Sequence, residues 1–320
     1  MKKFYTQREF AIVIAIGIMV LLFTIVNPIY ISGGNLIDIV DQSTINGLLA
    51  IGITFAILTG GIDLSIGSTF AIVIVTVGKA LGAGINPFEA VLIGLIMGFV
   101  LGAINGLLVT KMHLQPFIAT LGMMSVYRGV AYIFTGGWPV LNTPGFFRKM
   151  LDGDLVGNIP VSAFILFLVA FLGYIFLKYT RFGTYLYAIG GNEEATRLSG
   201  VPVDKGKILA YAICGLTAGL SGMVLLARLG TGEPTAGQGY ELNAIAAAAI
   251  GGTSLSGGKG SMLGTLLGAI LLSALKVGLI VAGVDTFWQY IATGLIIVVA
   301  AYFEVIQSTL GKIGLTMSKM

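Results

Sequence analysis

The sequence predicts an all-α protein, a polytopic membrane bundle of about ten transmembrane helices. Of its 320 residues, 56% are apolar and only 10% are charged, whereas soluble domains average about 25% charged residues. That composition leaves too little polar surface to coat a water-soluble globule of this size. Glycine accounts for 47 residues, and small residues let membrane helices approach one another closely. Residues 1–320 are therefore predicted to form a single transmembrane domain.

The apolar segments of the chain are long enough to cross a bilayer. A helix that spans about 30 Å of hydrocarbon needs about 20 mainly apolar residues. The predicted spans are residues 10–26, 37–59, 68–84, 88–110, 116–135, 161–177, 207–229, 241–252, 261–282 and 287–305. The first has basic residues before it and lacks a small-residue cleavage site leading into a soluble domain. It is predicted to be a retained anchor and not a removed signal peptide.

The basic residues predict the orientation of the bundle. Threading ten spans through the membrane leaves twelve of the 18 lysines and arginines on the side of the N-terminus. They are Lys2, Lys3, Arg8, Lys111, Lys178, Arg181, Arg197, Lys205, Lys207, Lys259, Lys312 and Lys319. Only Arg148 and Lys149 fall clearly on the other side. Short cytoplasmic loops are rich in lysine and arginine, so both termini are predicted to be cytoplasmic. This basic charge indicates membrane orientation, and no nucleic-acid partner is expected.

Two loops are long enough to hold structure of their own. The external loop, residues 136–160, contains "GFFRKML", which predicts a short interfacial helix. The cytoplasmic loop, residues 178–207, contains "GGNEEATRLSG", in which Asn192 is expected to cap a short helix that ends at Gly200. Two acidic residues in its first turn suit the helix dipole. This helix is either part of a solvated linker or a docking site for a cytoplasmic protein.

The stretch "GGTSLSGGKGS", residues 251–261, resembles a phosphate-binding loop only superficially. That motif requires a glycine where Thr253 lies and a serine or threonine where Gly260 lies. The stretch instead matches "GGIDLSIGS", residues 60–68, at a constant offset of 191 residues. Paired glycine-interrupted helices are a design of transporters, in which the breaks can face a cavity. The sequence therefore predicts an internal repeat with two helix breaks and no nucleotide site.

Polar residues within or beside apolar spans are candidates for a translocation path. Asp63 lies in the first break, where it either has an intramembrane function or caps the next helix through the amides of Ser65 to Ser68. The candidates are Asp63, Ser65, Asn105, Gln115, Asn243, Ser254 and Ser256. Further ionisable residues near span ends, where they cost less, are Asp38, Asp41, Arg128, Arg228 and Glu241. One cysteine, Cys214, and one histidine, His113, suggest neither a metal site nor a cofactor.

Four long stretches resemble one family of membrane proteins. They are "LTGGIDLSIGS" (58–68), "PFIATLGMMSVYRGVAYIFTGG" (116–137), "TRFGTYLYAIGGNEEATRLSGVPVDKGKILAYAICGL" (180–216) and "EPTAGQGYELNAIAAAAIGGTSLSGGKGSMLGTLLGA" (233–269). These stretches resemble the membrane permease of ribose-type monosaccharide ABC importers. The resemblance runs over nearly the whole chain, and its motifs are long and specific.

The resemblance implies the partners, location and coupling site of the chain. It implies a dimer of permease chains in a bacterial inner membrane, with a sugar path along the interface and ribose as the leading sugar. It also implies a cytoplasmic ABC ATPase and an external sugar-binding protein, so that the chain itself is no enzyme. The implied coupling helix comprises Asn192, Glu193, Glu194, Ala195, Thr196, Arg197, Leu198, Ser199 and Gly200.

Two other functions fit the sequence less well. An ion-coupled secondary transporter of small polar solutes would need a central carboxylate with a partner, and only Asp63 lies near the required place. The capped helix after Asn192 would then have no role. An intramembrane enzyme would need paired ligands or a nucleophile and base, which a single histidine and a single cysteine do not supply. The sequence leaves open homodimer or heterodimer, and a parallel or inverted repeat.

Overall fold

The computed structural model describes residues 5–141, 143–156, 159–289, 291–295, 298–299 and 302. Its long helices are α1 (Tyr5–Val26), α2 (Gly33–Leu58), α3 (Ile66–Gly82), α4 (Pro87–Lys111), α5 (Pro116–Thr135), α7 (Val161–Tyr179), α10 (Val203–Leu229) and α12 (Met262–Val281). The shorter ones are α6 (Gly145–Asp152), α8 (Arg181–Gly191), α9 (Glu193–Leu198) and α11 (Tyr240–Ile250). Within these residues, seven helices are long and apolar enough to cross a membrane, and α3 and α11 are shorter apolar helices.

The predicted all-α bundle is confirmed, with one small addition. Nine of the ten predicted spans correspond to helices within the described part of the chain. The tenth, 287–305, extends over residues outside the described ones. In the predicted external loop, "GFFRKML" forms α6, and a hairpin of β1 (Asp154–Val156) and β2 (Ile159–Pro160) follows it. The strand pairing was not predicted, because two such short segments carry no period-two pattern.

The centre of the bundle is the crossing of α4 and α10, which glycines allow to be very close. A Cβ atom at Gly102 would lie 2.1 Å from the carbonyl oxygen of Tyr211, and one at Gly98 would lie 2.4 Å from that of Gly215. Gly106 approaches Ile208 in the same way. Because the residue numbers rise on one helix as they fall on the other, the two helices are antiparallel. No hydrophobic force drives helices together in lipid, so close backbone packing of this kind stabilises their association instead.

Contacts between helix termini define two ends of the bundle. At one end, Lys111 at the end of α4 pairs with Asp204 at the start of α10 at 2.8 Å. We call it the α9 end, because α9 lies beside these residues. At the opposite end, the Asn27 side chain donates to the carbonyl oxygen of Val281 at 3.0 Å. The latter end also carries α6, and we call it the α6 end.

The internal repeat is present, and its helices end in the same capping motif. In α2, the amide of Gly60 donates to Ile57 O at 2.8 Å, and that of Gly61 to Ala56 O at 3.2 Å. In α11, Gly252 donates to Ala249 O and Thr253 to Ala248 O, both at 2.9 Å. This pair of bonds is a Schellman motif, which needs a left-handed residue. Gly60 and Gly252 supply it with φ values of 79° and 87°.

The register of the repeat differs by one residue from what letter matching indicates, and its direction, which the sequence left open, can be read from the structure. Gly252 follows Gly60 by 192 residues, one more than the predicted offset of 191. The next helices begin after N-cap residues Ser65 and Ser261, which are 196 residues apart, so the second break is four residues longer. The amide of Gly258 donates to Leu58 O at 3.0 Å, which places both breaks at the α9 end. The two helix-break-helix units therefore run parallel.

Between α10 and α11 the chain descends into the bundle. Gly232 pairs with Val140, in the loop that follows α5, through two backbone hydrogen bonds of 2.8 Å. Five residues later, Gly237 touches the first turn of α3, where a Cβ atom at Gly67 would lie 2.3 Å from the Gly237 carbonyl oxygen. We call residues 230–239 the re-entrant segment. Irregular backbone at membrane depth is tolerated only where protein or a water-filled cavity surrounds it.

Candidate coupling helix and translocation path

Helix α9 has the capping that the sequence predicts. The Asn192 side-chain oxygen accepts a hydrogen bond from the amide of Ala195 at 2.9 Å, and the helix ends before Gly200, whose φ is 80°. Asn192 also terminates α8, so a single residue separates the two helices. Sequence analysis missed α8, treating residues 178–207 as a polar loop. The residue that could have predicted the start of α8 is Thr180, whose hydroxyl caps the helix by accepting a hydrogen bond from Gly183 N at 3.2 Å.

An ion-pair network holds α9 against α4 and α10. Arg197 lies 3.2 Å from Glu193 and 3.0 Å from Asp204, and Asp204 also accepts from Lys111 at 2.8 Å. Lys207 pairs with the second oxygen of Glu193. Burial alone would raise the pKa of Glu193, but the hydrogen bonds and charges of Lys207 and Arg197 outweigh it and lower that pKa. Glu193 is therefore ionised at neutral pH and remains available for both pairs.

The outward surface of α9 differs from its charged inner side. Of the predicted coupling residues, Glu193 and Arg197 are engaged in the network and Thr196 is buried. The large apolar side chain of Leu198, at the end of α9, is 83% exposed. Glu194 is also exposed. An apolar side chain held in water at the tip of a capped helix is suited to insertion into a pocket of another protein.

Three of the predicted path residues meet in one buried cluster. Asp63 accepts hydrogen bonds from the Ser65 amide at 2.9 Å and the Ser65 hydroxyl at 2.7 Å. Asn105 of α4 donates to both Asp63 oxygens, at 3.3 and 3.2 Å, and to the Ser65 hydroxyl at 2.7 Å. Of the amides from Ser65 to Ser68, only that of Ser65, the residue before α3, bonds Asp63, so Asp63 does not cap the amides of the first turn of α3. The cluster joins the first break to α4.

The other path candidates lie on separate elements. Gln115 occupies the N-cap position of α5 and is exposed. Asn243 is half-buried in the first turn of α11, Ser254 is half-buried in the second break, and Ser256 is exposed there. Two of these four residues therefore lie in the second break, and one each at the start of α5 and of α11.

The amides of the second break are used inside the protein. Gly258 donates to Leu58 O at 3.0 Å, Ser254 to Lys259 O at 2.8 Å and Gly257 to Ser254 O at 2.9 Å. A phosphate-binding loop presents such amides to its ligand. The conformation thus agrees with the interpretation of residues 251–261 as a helix break. Among the described residues, no group of three or more histidine, cysteine or acidic side chains could hold a metal ion.

Arg128 has a role that sequence analysis did not find. This α5 residue donates from Nη1 to Pro234 O at 2.6 Å and to Ala236 O at 2.7 Å, and from Nη2 to Gly67 O at 3.0 Å. It therefore supplies donors to carbonyl groups of the re-entrant segment and of the first turn of α3. The prediction that Arg128 lies near a span end is wrong, because it lies near the middle of α5. No local sequence pattern links it to Pro234 and Ala236, which are more than 100 positions away.

A second arginine organises the α6 end. Arg228, at the end of α10, lies 3.1 Å from Asp41 of α2 and 3.1 Å from Asp152 of α6. Arg148 of α6 donates in turn to Ala227 O at 3.0 Å. These bonds attach α6 to the end of α10, which is itself paired with α2, so α6 has a defined position on the bundle.

Comparison with known proteins gives several close matches. Residues 35–301 match the family described as branched-chain amino acid transport system / permease component. The chain is 42% identical to the ribose import permease protein RbsC of Escherichia coli (strain K12) over 95% of this chain and 96% of that one. It is 42% identical to RbsC of Bacillus subtilis (strain 168), over 90% and 89% of the two chains. No solved structure matches.

A permease named for another sugar is also similar. The D-allose transport system permease protein AlsC of Escherichia coli (strain K12) is 36% identical over 90% of this chain and 89% of that one. The family match covers most of the transmembrane bundle, and the relatives extend over nearly the full length of both chains. These matches confirm the predicted resemblance and a role as a multi-pass transport subunit that is not itself an enzyme. The chain belongs to the branched-chain amino acid transport system / permease component family.

Proposed function

We propose that this chain is the transmembrane permease of an ATP-driven importer of monosaccharides, with ribose as its substrate. Two copies would enclose the sugar path, a separate ATPase would dock on α9, and an external sugar-binding protein would deliver the sugar to the α6 end. The observation that carries this proposal is α9 itself, a capped helix that is tied to α4 and α10 by ion pairs and exposes Leu198. Relatives named as ribose import permeases support the choice of sugar.

The distribution of charge supports a cytoplasmic α9 end. Lys111, Arg197 and Lys207 gather there, as do Glu193 and Asp204, which they pair with. Further basic residues on loops or helices of this end are Lys178, Arg181, Lys205 and Lys259. Because basic residues in short loops mark the cytoplasmic face, α9 would face the compartment that contains ATP. The N-terminus would lie on the same side.

Reconstitution with its partners tests the proposed function. We expect vesicles that contain this chain, the ATPase and the sugar-binding protein to accumulate ribose when ATP is supplied to the ATPase. Uptake should persist when the proton and sodium gradients are dissipated. Leu198→Glu should reduce ATPase association by at least about tenfold, because a buried apolar anchor typically contributes 2 kcal/mol or more. Leu155→Glu is the matched control, since Leu155 is 54% exposed on the hairpin at the α6 end.

Two results would contradict the proposal. Uptake that needs an ion gradient and no ATPase would favour the secondary transporter. Equal ATPase association by wild type and Leu198→Glu would remove α9 as the docking site. The control variant separates a docking effect from a general effect of adding a carboxylate to the surface.

We further propose that the re-entrant segment lines the sugar path. Its backbone is anchored through Arg128, near the middle of α5, while the side chains of Thr235 and Gln238 are exposed. Polar side chains at membrane depth face a cavity or another protein chain and not lipid. Hydroxyl and amide groups can exchange hydrogen bonds with sugar hydroxyls. Asn243, one turn into α11, lies beside this segment and would continue the path.

Cysteine labelling tests this path. Gln238→Cys and Thr235→Cys are expected to react with a membrane-impermeant thiol reagent, because a thiol in water ionises to the reactive thiolate. Phe164→Cys is the control: Phe164 is 58% exposed on α7, where lipid would surround it. The only native thiol, Cys214, is 1% exposed, so wild type serves as the blank. Labelling of the control as fast as of Gln238→Cys would contradict the assignment.

A further inference from the structure

Three backbone segments meet at the α9 end with almost no side chains between them. A Cβ atom at Gly190, near the end of α8, would lie 1.9 Å from Leu58 O and 2.3 Å from Gly258 N. One at Gly257 would lie 2.8 Å from the amide nitrogen of Gly60. We call this contact of the α8 end, the first break and the second break the glycine junction. It is where the glycine-rich stretch 251–261 contacts the helix that precedes α9.

Hydrogen bonds connect the members of the junction. The Gly258 amide donates to Leu58 O at 3.0 Å, which links the second break to the end of α2. The Tyr187 hydroxyl on α8 donates to Gly260 O at 3.0 Å, which links α8 to the second break. The contact is therefore bonded as well as close. Both repeat units are involved, because one break belongs to each.

The junction is rigidly connected to α9. Only Asn192 separates α8 from α9, and its amide donates to Ala188 O at 3.0 Å while its side chain caps α9. A displacement of α9 must therefore move the end of α8. Because backbone contacts backbone at Gly190, no flexible side chain can absorb that displacement before it reaches the two breaks. Tightly packed backbone contacts of this kind do not deform continuously, so a small displacement of one segment displaces the segment packed against it.

We propose that Gly190 is a positioning residue for transport, through which movement of α9 is passed to both helix breaks. This inference rests on the proposed docking of an ATPase at α9. The ATPase would dock on the outward surface of α9 around Leu198. The glycine junction, in contrast, lies at the end of α8 and contacts the two helix breaks. The first break in turn contacts α4, since Asn105 donates hydrogen bonds to its Asp63 and Ser65. Displacement at the junction would thus change the arrangement of the transmembrane helices.

A pair of neighbouring substitutions tests the inference. Gly190→Ala places a methyl group against Leu58 O and Gly258 N, whereas Gly191→Ala has no atom within 4 Å of its new Cβ. In reconstituted vesicles with ATPase and sugar-binding protein, we expect Gly190→Ala to lower the ribose transported per ATP hydrolysed by about five- to tenfold. ATPase association should remain at the wild-type level, because the outer surface of α9 is unchanged. Gly191→Ala should resemble wild type in both measurements.

A second variant covers the case in which Gly190→Ala does not assemble. Tyr187→Phe removes the hydroxyl that bonds Gly260 O and retains the ring, and we expect it to lower transport per ATP by about two- to threefold with association unchanged. Wild-type coupling ratios in Tyr187→Phe, or in an assembled Gly190→Ala, would overturn the inference. Failure of the proposed function would look different, because wild type itself would then show no ATPase-dependent uptake.

Discussion

Gly102→Val is expected to prevent the bundle from assembling. The new side chain would start 2.1 Å from Tyr211 O, 2.9 Å from Tyr211 C and 3.0 Å from the Cα of Ala212. All three atoms belong to the backbone of α10, so no rotamer change can make room for it. Overpacking a core costs about 1–3 kcal/mol where side chains can adjust, and we expect a loss of at least about 3 kcal/mol here. Helices α4 and α10 would have to separate along their length.

The native thiol provides the measurement for Gly102→Val. Cys214 lies on α10 and is buried, so its rate of alkylation in detergent reports on opening of the bundle. We expect the variant to be labelled at temperatures where wild type is protected. Gly17→Val in α1 is the control, because no atom lies within 4 Å of its new Cβ. Wild-type protection of Cys214 in Gly102→Val would show that the crossing is less tight than described.

Arg128→Leu is expected to release the re-entrant segment and abolish transport. The substitution leaves Pro234 O, Ala236 O and Gly67 O without the guanidinium donors. A buried acceptor without a partner costs about 1–3 kcal/mol, so the combined loss is expected to exceed about 3 kcal/mol. Pro234 and Gly67 are buried in protein, so water could not readily replace the lost donors there. We expect ribose uptake to fall below detection and the segment to become sensitive to added protease.

Arg128→Lys separates the charge of this residue from its geometry. Lysine retains the positive charge but lacks the planar fork that reaches three carbonyl oxygens at once. We expect this variant to keep part of the protease resistance of wild type and only a fraction of its uptake. Full activity of Arg128→Leu would show that the carbonyl groups find other donors.

The local features of the fold could be predicted because their causes are local. The cap of α9 at Asn192 and the end of that helix before Gly200 follow from residues within one turn. The transmembrane helices follow from runs of apolar residues, and both helix breaks from clustered glycines. The short helix "GFFRKML" was recognised for the same reason. Each of these features depends on residues that are close together in the sequence.

The features that sequence analysis missed depend on distant contacts. The path of residues 230–239 follows from Arg128, which is 106 positions before Pro234. The outward surface of α9 could not be assigned because Glu193 and Arg197 have partners on α10. Likewise, Asp63 could be recognised as an unusual carboxylate, but Asn105, which bonds it, lies 42 residues away. Single-sequence patterns carry no information about such pairs.

The parallel arrangement of the two units has a consequence for the history of the chain. Each passage through a bilayer reverses direction, so a duplicated segment returns to its original orientation only after an even number of passages. Six apolar helices separate the start of the first unit from the start of the second: α2, α4, α5, α7 and α10, which are long enough to span a membrane, and the shorter α3. The ancestral element could therefore be copied in tandem without inverting its topology. The two units differ in the length of their breaks, and the second break, which is four residues longer, is the one that contacts α8 through Gly190.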